Sequence, residues 1–397
     1  MIKLRKYSLA GTFFVCLFAA TALQAKQNVQ FLGIAFVGGL KDAKVTMPYV
    51  TKVLNESIRS NANTELLKIV SNVDREDLVF LTGGEGGGSV NSGSALATAV
   101  AISAESFRDN RTSSGNTLKL SLRAQILTFD FTNKRVISAF PVYSAAVRSY
   151  DDTTDMEALR EQLVLETLIK NDEDPGKSIF DLVGKKLQSL TFKEGWNINL
   201  KVRDVTVNPT AEAILKINNI PVDAYKNWLA ASFASSLSDF HDIPVLPYTQ
   251  GEAVSKMRLL FDERNDVSFS LPPADFVVNL VARGFVTKEL DSTPKTTTKT
   301  HIVGMEVHFS DVAFKKRLYA ENMQMGRVVR YSKDSQVAEW PLYEEVQLVL
   351  ITEFMAQLVK PDKKWVSRHI KSKSKFREIA KKMQTVNIKI IQEIKGK

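Results

Sequence analysis

Four histidines, His241, His301, His308 and His369, are the residues in this sequence with the most adaptable chemistry, since an imidazole can ligate a metal or move a proton near neutral pH. Their spacing does not bring them together. His301 and His308 lie seven apart in a segment that alternates as a strand, so they face opposite sides of it. No HExxH, GxSxG or paired-cysteine pattern accompanies them. Asp151 and Asp152 stand just ahead of a helical pattern, where cap and turn roles account for them better than an acid and base pair. The acidic run at 171–176, NDEDPG, is similar to a calcium loop, but Pro175 falls where that pattern needs Asp or Asn and no Glu closes it. We therefore expect no catalytic residue, no metal and no cofactor. The alternative from a different class is an envelope enzyme, acting on cell wall or polysaccharide with a site assembled by the fold.

Glycines cluster at 82–94, TGGEGGGSVNSGS, with Gly83, Gly84, Gly86, Gly87 and Gly88 at the centre. A phosphate-cradling loop would need GxxxxGK[ST], yet no lysine occurs from Gly83 to Phe107. A mobile surface loop fits better, with a loop that orders on contact with a partner as the alternative. The C-terminal 361–397 is a second stretch with chemical character. From Lys360 onward, 13 Lys or Arg face only Asp362, Glu378 and Glu393. Phe376, Ile379, Met383, Ile390 and Ile394 fall close to helical spacing, with Lys373 and other lysines between them, which describes a basic amphipathic helix, although VNIKI at Val386 to Ile390 also alternates as a strand. Its expected uses are docking on the protein's own domains or another subunit, or attachment to an anionic membrane surface or cell-wall polymer. Nucleic acid is not expected as a partner, because Trp365 and Phe376 make no stacking series.

These residues must be positioned by a large folded chain. At 397 residues and 44% apolar content it can bury two cores. Residues 1–25 place Lys3, Arg5 and Lys6 before an apolar run from Leu9 to Leu23 and the small-residue end ALQA, the layout of a cleaved secretory leader. Cys16, the only cysteine, lies inside that run, so an exported chain would hold no disulfide. The formal net charge is +9. Removing the leader's three cations leaves the basic excess in the tail.

The pattern along the chain is α/β, read as two tandem small domains at 26–192 and 193–360, each a mixed sheet with helices packed on it. Residues 29–37, VQFLGIAFV, form a first strand, and Met47, Val50, Leu54 and Ile58 lie on one helix face. A second short strand is expected at 66–70. The run 95–107 fits a small-residue strand or a helix, with strand preferred for its counterpart at 274–286, and 117–147 is a hairpin turning at Asn133-Lys134-Arg135. Thr154 and Glu157 have capping-box spacing before a helix over about 155–170, and 178–190 forms another. The same order returns: a strand at 198–207, a helix carrying Tyr225, Leu229, Phe233, Leu237 and Phe240, and a short strand at 243–248. A long strand over 274–286, an exposed loop at 288–300, a hairpin over 301–329 and a helix opening at Trp340-Pro341 follow. Ala95 and Ala274 are 179 residues apart and Lys134 and Lys316 are 182 apart, as a duplication with small insertions would make them.

Two stretches carry a family resemblance. Residues 32–37, LGIAFV, and 274–286, ADFVVNLVARGFV, are similar to the opening strand and the ADYVL-containing strand of the periplasmic TolB N-terminal and CsgG-like α/β domain group, as in flagellar H-ring protein T. The turns at Asn133 and Lys315 lack that group's D-x-x-TGE. The resemblance implies an exported, non-enzymatic structural or accessory component of a secretion, pilus or flagellar assembly. Such a protein would be periplasmic, with outer-membrane association, and would bind other envelope proteins or its own copies in a ring. A peripheral anchor protein held by its basic tail is a third expectation.

Overall fold

The computed structural model describes residues 26–37, 43–44, 46–54, 56–81, 96–112, 115–130, 133–170, 174–190, 198–248, 256–260, 266–333 and 339–396. The expected leader at 1–25 and the glycines at 83–88 lie outside them. The described residues form two mixed sheets with helices packed on them, the α/β class read from the sequence.

The first sheet begins with β1 (Gln27–Val37), buried over nearly its whole length because neighbours cover both faces. It pairs in parallel with β2 (Leu78–Leu81) and β3 (Leu96–Thr112), and β3 continues antiparallel into β4 (Gly115–Asp130) and β5 (Arg135–Tyr150). Helices α1 (Pro48–Val53), α2 (Glu56–Ser71), α3 (Met156–Leu168) and α4 (Ile179–Ser189) cover one face. Met47, Val50, Leu66, Leu120, Leu122, Leu163 and Phe180 meet there with none of their surface exposed. The expected strand at 66–70 is instead the last turn of α2. A short apolar run fits either period, and here Ala62, Leu66 and Val70 keep the helical one. The α3 cap is Asp155, accepting from Glu157 and Ala158 N–H, not Thr154, whose hydroxyl turns back to Asp151.

The second sheet repeats the plan. β6 (Leu200–Val207) pairs in parallel with β9 (Phe276–Ser292), which continues antiparallel into β10 (Thr296–Asp311) and β11 (Lys316–Ser332). Between β6 and β9 come α5 (Pro209–Ile217), α6 (Val222–His241) and the hairpin of β7 (Lys256–Leu260) and β8 (Asp266–Ser270). The irregularities coincide as well. A bulge at Ser103 in β3 matches one at Arg283 in β9, and one at Ile137 in β5 matches one at Leu318 in β11. Both tight turns have a lysine at φ 50°, Lys134 and Lys315, and an aspartate, Asp130 or Asp311, accepting from the N–H three residues on. Lys315, not Lys316, is thus the counterpart of Lys134.

Two expectations are overturned here, and one pairing was not foreseen. Residues 288–300 are not a loop: β9 runs to Ser292 and β10 starts at Thr296, because the threonines sit well in a ladder. Residues 243–248 make one parallel bridge, Lys201 to Leu246, and no full strand. The hairpin β7–β8, placed by sequence position in the second half, joins the first sheet. β7 pairs with the end of β1 and β8 with Arg135 of β5, so this sheet curls back on itself. Its small interior core is Leu32, Ala35, Ala97, Ala99, Ala101, Leu127, Phe129, Ala139 and Phe269.

After β11 come α7 (Glu339–Val359), α8 (Lys363–His369) and α9 (Phe376–Val386), which runs through a π-helical turn (Asn387–Gln392) to α10 (Glu393–Lys395). This tail lies on β11 and α7. Ile379, Met383, Ile390 and Ile394 are at most 5% exposed in the second core, Phe376 packs at its margin, and Lys373 faces solvent. The apolar residues proposed from sequence as an interaction surface are therefore occupied within the molecule. Burying each is worth roughly 1.5 to 3 kcal/mol, which fixes the helix in place.

Two outcomes are expected. Met383→Ala should cost about 2 to 5 kcal/mol in denaturant unfolding, while Lys373→Ala stays within about 0.5 kcal/mol; equal effects would refute the docked tail. Glu105 of β3 accepts from the Tyr49 and Val50 N–H groups at 3.3 and 2.6 Å, and burial pushes its carboxyl up to about 7 despite them. Because the folded value lies above the ordinary one, the protonated form favours folding, so this stabilisation is complete below about pH 4.5 and is lost as pH rises to about 7. Glu105→Gln should remove that slope from a stability profile across this range.

Candidate functional site

Each sheet has helices on one face, and the two sheets differ in what lies on the other. In the first sheet that face is covered twice. The half near the β4–β5 turn closes over the hairpin β7–β8. The other half rests on the second unit, whose α6 shows Tyr225, Leu229, Phe233 and Leu237 to its own sheet and buries Ser232, Ser235 and Ser238 as well. Small serines let a helix approach β5 closely. Val245 N–H bonds to Ala139 O at 2.9 Å and Leu246 N–H to Leu200 O at 2.8 Å, so one segment is bound to both sheets.

This junction contains charge. Arg123 of β4 is buried, donates to Ser232 Oγ at 3.2 Å and lies over the Tyr143 ring. Arg108 of β3 pairs with the buried Glu344 of α7 and stacks on Trp340. Burial lowers both guanidinium values and raises the Glu344 carboxyl, while the opposite charges resist it.

The second sheet's corresponding face has no described cover. Counting from the matched bulges, the interior core residues Leu32, Ala35, Ala99 and Leu127 correspond to Arg203, Thr206, Asn279 and His308. What is an apolar core in one sheet is a polar groove of about 480 Å³ in the other, lined also by Asp204, Val281, Lys226 and Tyr248. Its charges are matched in pairs. Arg203 Nε donates to Asp204 at 2.9 Å, and Lys226 lies 3.7 Å from Asp223. The Asn279 carboxamide, oriented to suit its neighbours, donates to Asp204 and accepts from Arg203, both at 3.2 Å. His308 Nε2 approaches Glu306 Oε1 to 2.7 Å without the alignment of a hydrogen bond. Burial, and then the Asp204 and Asp223 carboxylates, raise the Tyr248 hydroxyl. Such a groove offers many donors and acceptors and no uncompensated charge, which suits a polar surface better than a strongly charged ligand.

Beyond the groove the face becomes smooth. Gly284 and Gly304 stand opposite each other where the first sheet has Ala104 and Arg123. A Cβ at Gly304 would meet only ordinary contacts, the nearest at 3.6 Å, so neither packing nor a positive φ demands glycine there. Val286 and Val328 flank this strip at 53% and 58% exposure.

The structure scatters the residues that attracted notice in the sequence. His301 is buried beside Tyr343 on the sheet's helix side, opposite His308. His241 is buried near the tail, where burial and Lys395 push it down to about 4, and His369 Nδ1 lies 3.0 Å from Gln324 O. Asp151 holds a turn through Thr153 and Thr154. Among the described residues no three His, Cys, Asp or Glu side chains gather closely enough to hold a metal ion, and no helix is long and apolar enough to cross a membrane. The open face was not singled out from the sequence. Its signal was present: β4 turns apolar on both sides at Leu127 and Phe129, while β10 stays polar at His308 and Ser310.

No protein-family description matches this chain, and no curated protein matches it. Among solved structures it is similar to one described as a neuraminyllactose-binding hemagglutinin homolog from Helicobacter pylori, at 11% identity over 45% of this chain and 92% of that one, TM-score 0.24. It is also similar to a minor lipoprotein from Acinetobacter baumannii, at 9% identity over 45% and 99%, TM-score 0.18. Likenesses this faint carry no functional argument.

The junction is open to test. Glu344→Ala should cost about 3 to 5 kcal/mol by leaving buried guanidinium charge unmatched, and replacing Arg108 and Glu344 together by Leu and Met should cost less than the single change. A double variant as unstable as the sum of the singles would show that the pair is not coupled.

Proposed function

We propose that this protein is a non-enzymatic structural or accessory component of a bacterial envelope assembly, exported to the periplasm, that works by binding other proteins. One observation carries the reading: among the described residues, nothing covers the face of the second sheet that in the first sheet is covered by protein at the matching positions. An uncovered sheet face with a smooth glycine strip and exposed valines is suited to an interface. The leader-like residues 1–25 support export, and the resemblance of the strand at 274–286 to CsgG-like domains supports the envelope. The exposed Lys371, Lys373, Lys375, Lys381 and Lys389 of the tail add a contact with membrane or cell wall, its apolar side being used internally.

A second reading, an envelope hydrolase acting on cell wall or polysaccharide, draws on the Glu306 and His308 pair in the groove. Two substitutions separate the readings. Pull-down from envelope fractions should recover a stoichiometric complex that Gly304→Glu abolishes and His308→Ala retains. A hydrolase would lose turnover with His308→Ala and keep it with Gly304→Glu. Retention of the complex by Gly304→Glu would refute the binding role of this face.

A further inference from the structure

We infer that the glycine strip on the second sheet of one molecule takes the α2–α3 helical layer of a second molecule, so that copies add head to tail. This rests on the reading of that face as a protein-binding surface and names its partner. The molecule already contains the interface once: the matching half of the first sheet rests on α6 and α7 of the second unit, with Arg108 on Glu344. Two surfaces of the same kinds remain outward. One is the strip on the second sheet. The other is the outer side of α2 and α3, which come in the first unit at the same points of the chain order as α6 and α7 in the second, with α4 packed against both. Joining them covers both surfaces with a sheet-on-helix contact of the same kind, as stacked repeats do.

Charge agrees with this pairing. Five residues past the matched bulges, Arg108 of β3 corresponds to Lys288 of β9, which is exposed. Counted from the helix starts, Glu344 of α7 corresponds to Glu161 of α3. Glu161 shares Lys52 with Glu157 at 2.6 and 2.8 Å, and Asp151, Asp152 and Asp155 are exposed just before the helix, so this side of α3 carries more acids than bases. Across the strip, Lys288 and Arg330 stand with Asp291. The acidic side of α3 and the strip's Lys288 and Arg330 attract, and two strips would not.

Sedimentation of the purified chain over a concentration series tests this. The average mass should rise past that of a dimer, less steeply in high salt. Lys288→Glu and Glu161→Lys should each weaken association by about tenfold. Mixing those two variants should restore it, because every contact between unlike variants then pairs opposite charges and the copies alternate. Gly304→Glu, which adds bulk and a charge like that of the α3 acids, should leave a folded monomer by circular dichroism. A chain that stays monomeric, or a closed dimer indifferent to the mixing, overturns the inference. If such a chain still loses a foreign envelope partner with Gly304→Glu, the binding role of the face stands while self-addition falls; if it loses none, both fall.

Discussion

The packing of α6 between the two sheets is the contact on which the rest of the molecule depends. A helix that serves one sheet can be apolar on one stripe and charged elsewhere. This one cannot, because β5 lies behind it. Tyr225, Leu229, Phe233 and Leu237 fill the second core, and on the other side Ser232, Ser235 and Ser238 replace the charges a solvent face would carry. Their small hydroxyls cost little to bury when a partner is near, and Arg123 reaches Ser232. Once α6 is seated, the segment after it is drawn between Ala139 and Leu200, and the hairpin β7–β8 that follows is delivered to the first sheet. The order of the chain thus explains why the first sheet is the one covered.

The buried charges at this junction are better understood as registration than as a source of stability. Arg108 pairs with Glu344, and Arg123 lies close enough to feel the same carboxylate, in a region from which water is largely excluded; among the described residues Arg123 Nε and one Arg108 nitrogen have no hydrogen-bond partner. Desolvation of that kind offsets much of the attraction, so an apolar junction would hold at least as well. What it would lack is a single register. Leucines against serines could slide by a turn, whereas Arg108 meets Glu344 and Trp340 at one setting only.

Much of this fold was legible because strands and helices impose different periods on the same alphabet. The doubled hairpins could be read from Leu118, Leu120 and Leu122 and from Val303, Met305 and Val307, all buried on the helix side. Their turns were visible as lysines among polar residues. Where residues satisfy both periods the reading failed, as at Leu66–Val70, and where threonines continued a ladder past its apolar part the strand looked like a loop. The hairpin β7–β8 and the groove depend on which sheet covers which, and no local pattern encodes that. The groove was detectable only by comparing matched positions, Leu127 with His308 and Ala99 with Asn279, which requires the bulges to be located first.

The tail shows how one helix can be both internal and basic. Its apolar side is consumed by the second core, and Lys382 turns inward only far enough to meet the buried Glu321 at 2.6 Å. Met383, Val386, Ile390 and Ile391 could not enter a lipid surface without leaving that core open, and each vacated side chain would cost roughly 1.5 to 3 kcal/mol. Attraction of the exposed lysines to an anionic surface, worth about 1 kcal/mol per residue near it, requires no such exchange. Any contact with membrane or cell wall must therefore be made by the charged side of a helix that stays docked. It would be sensitive to salt, and it would hold the second sheet's open face at a fixed orientation to that surface.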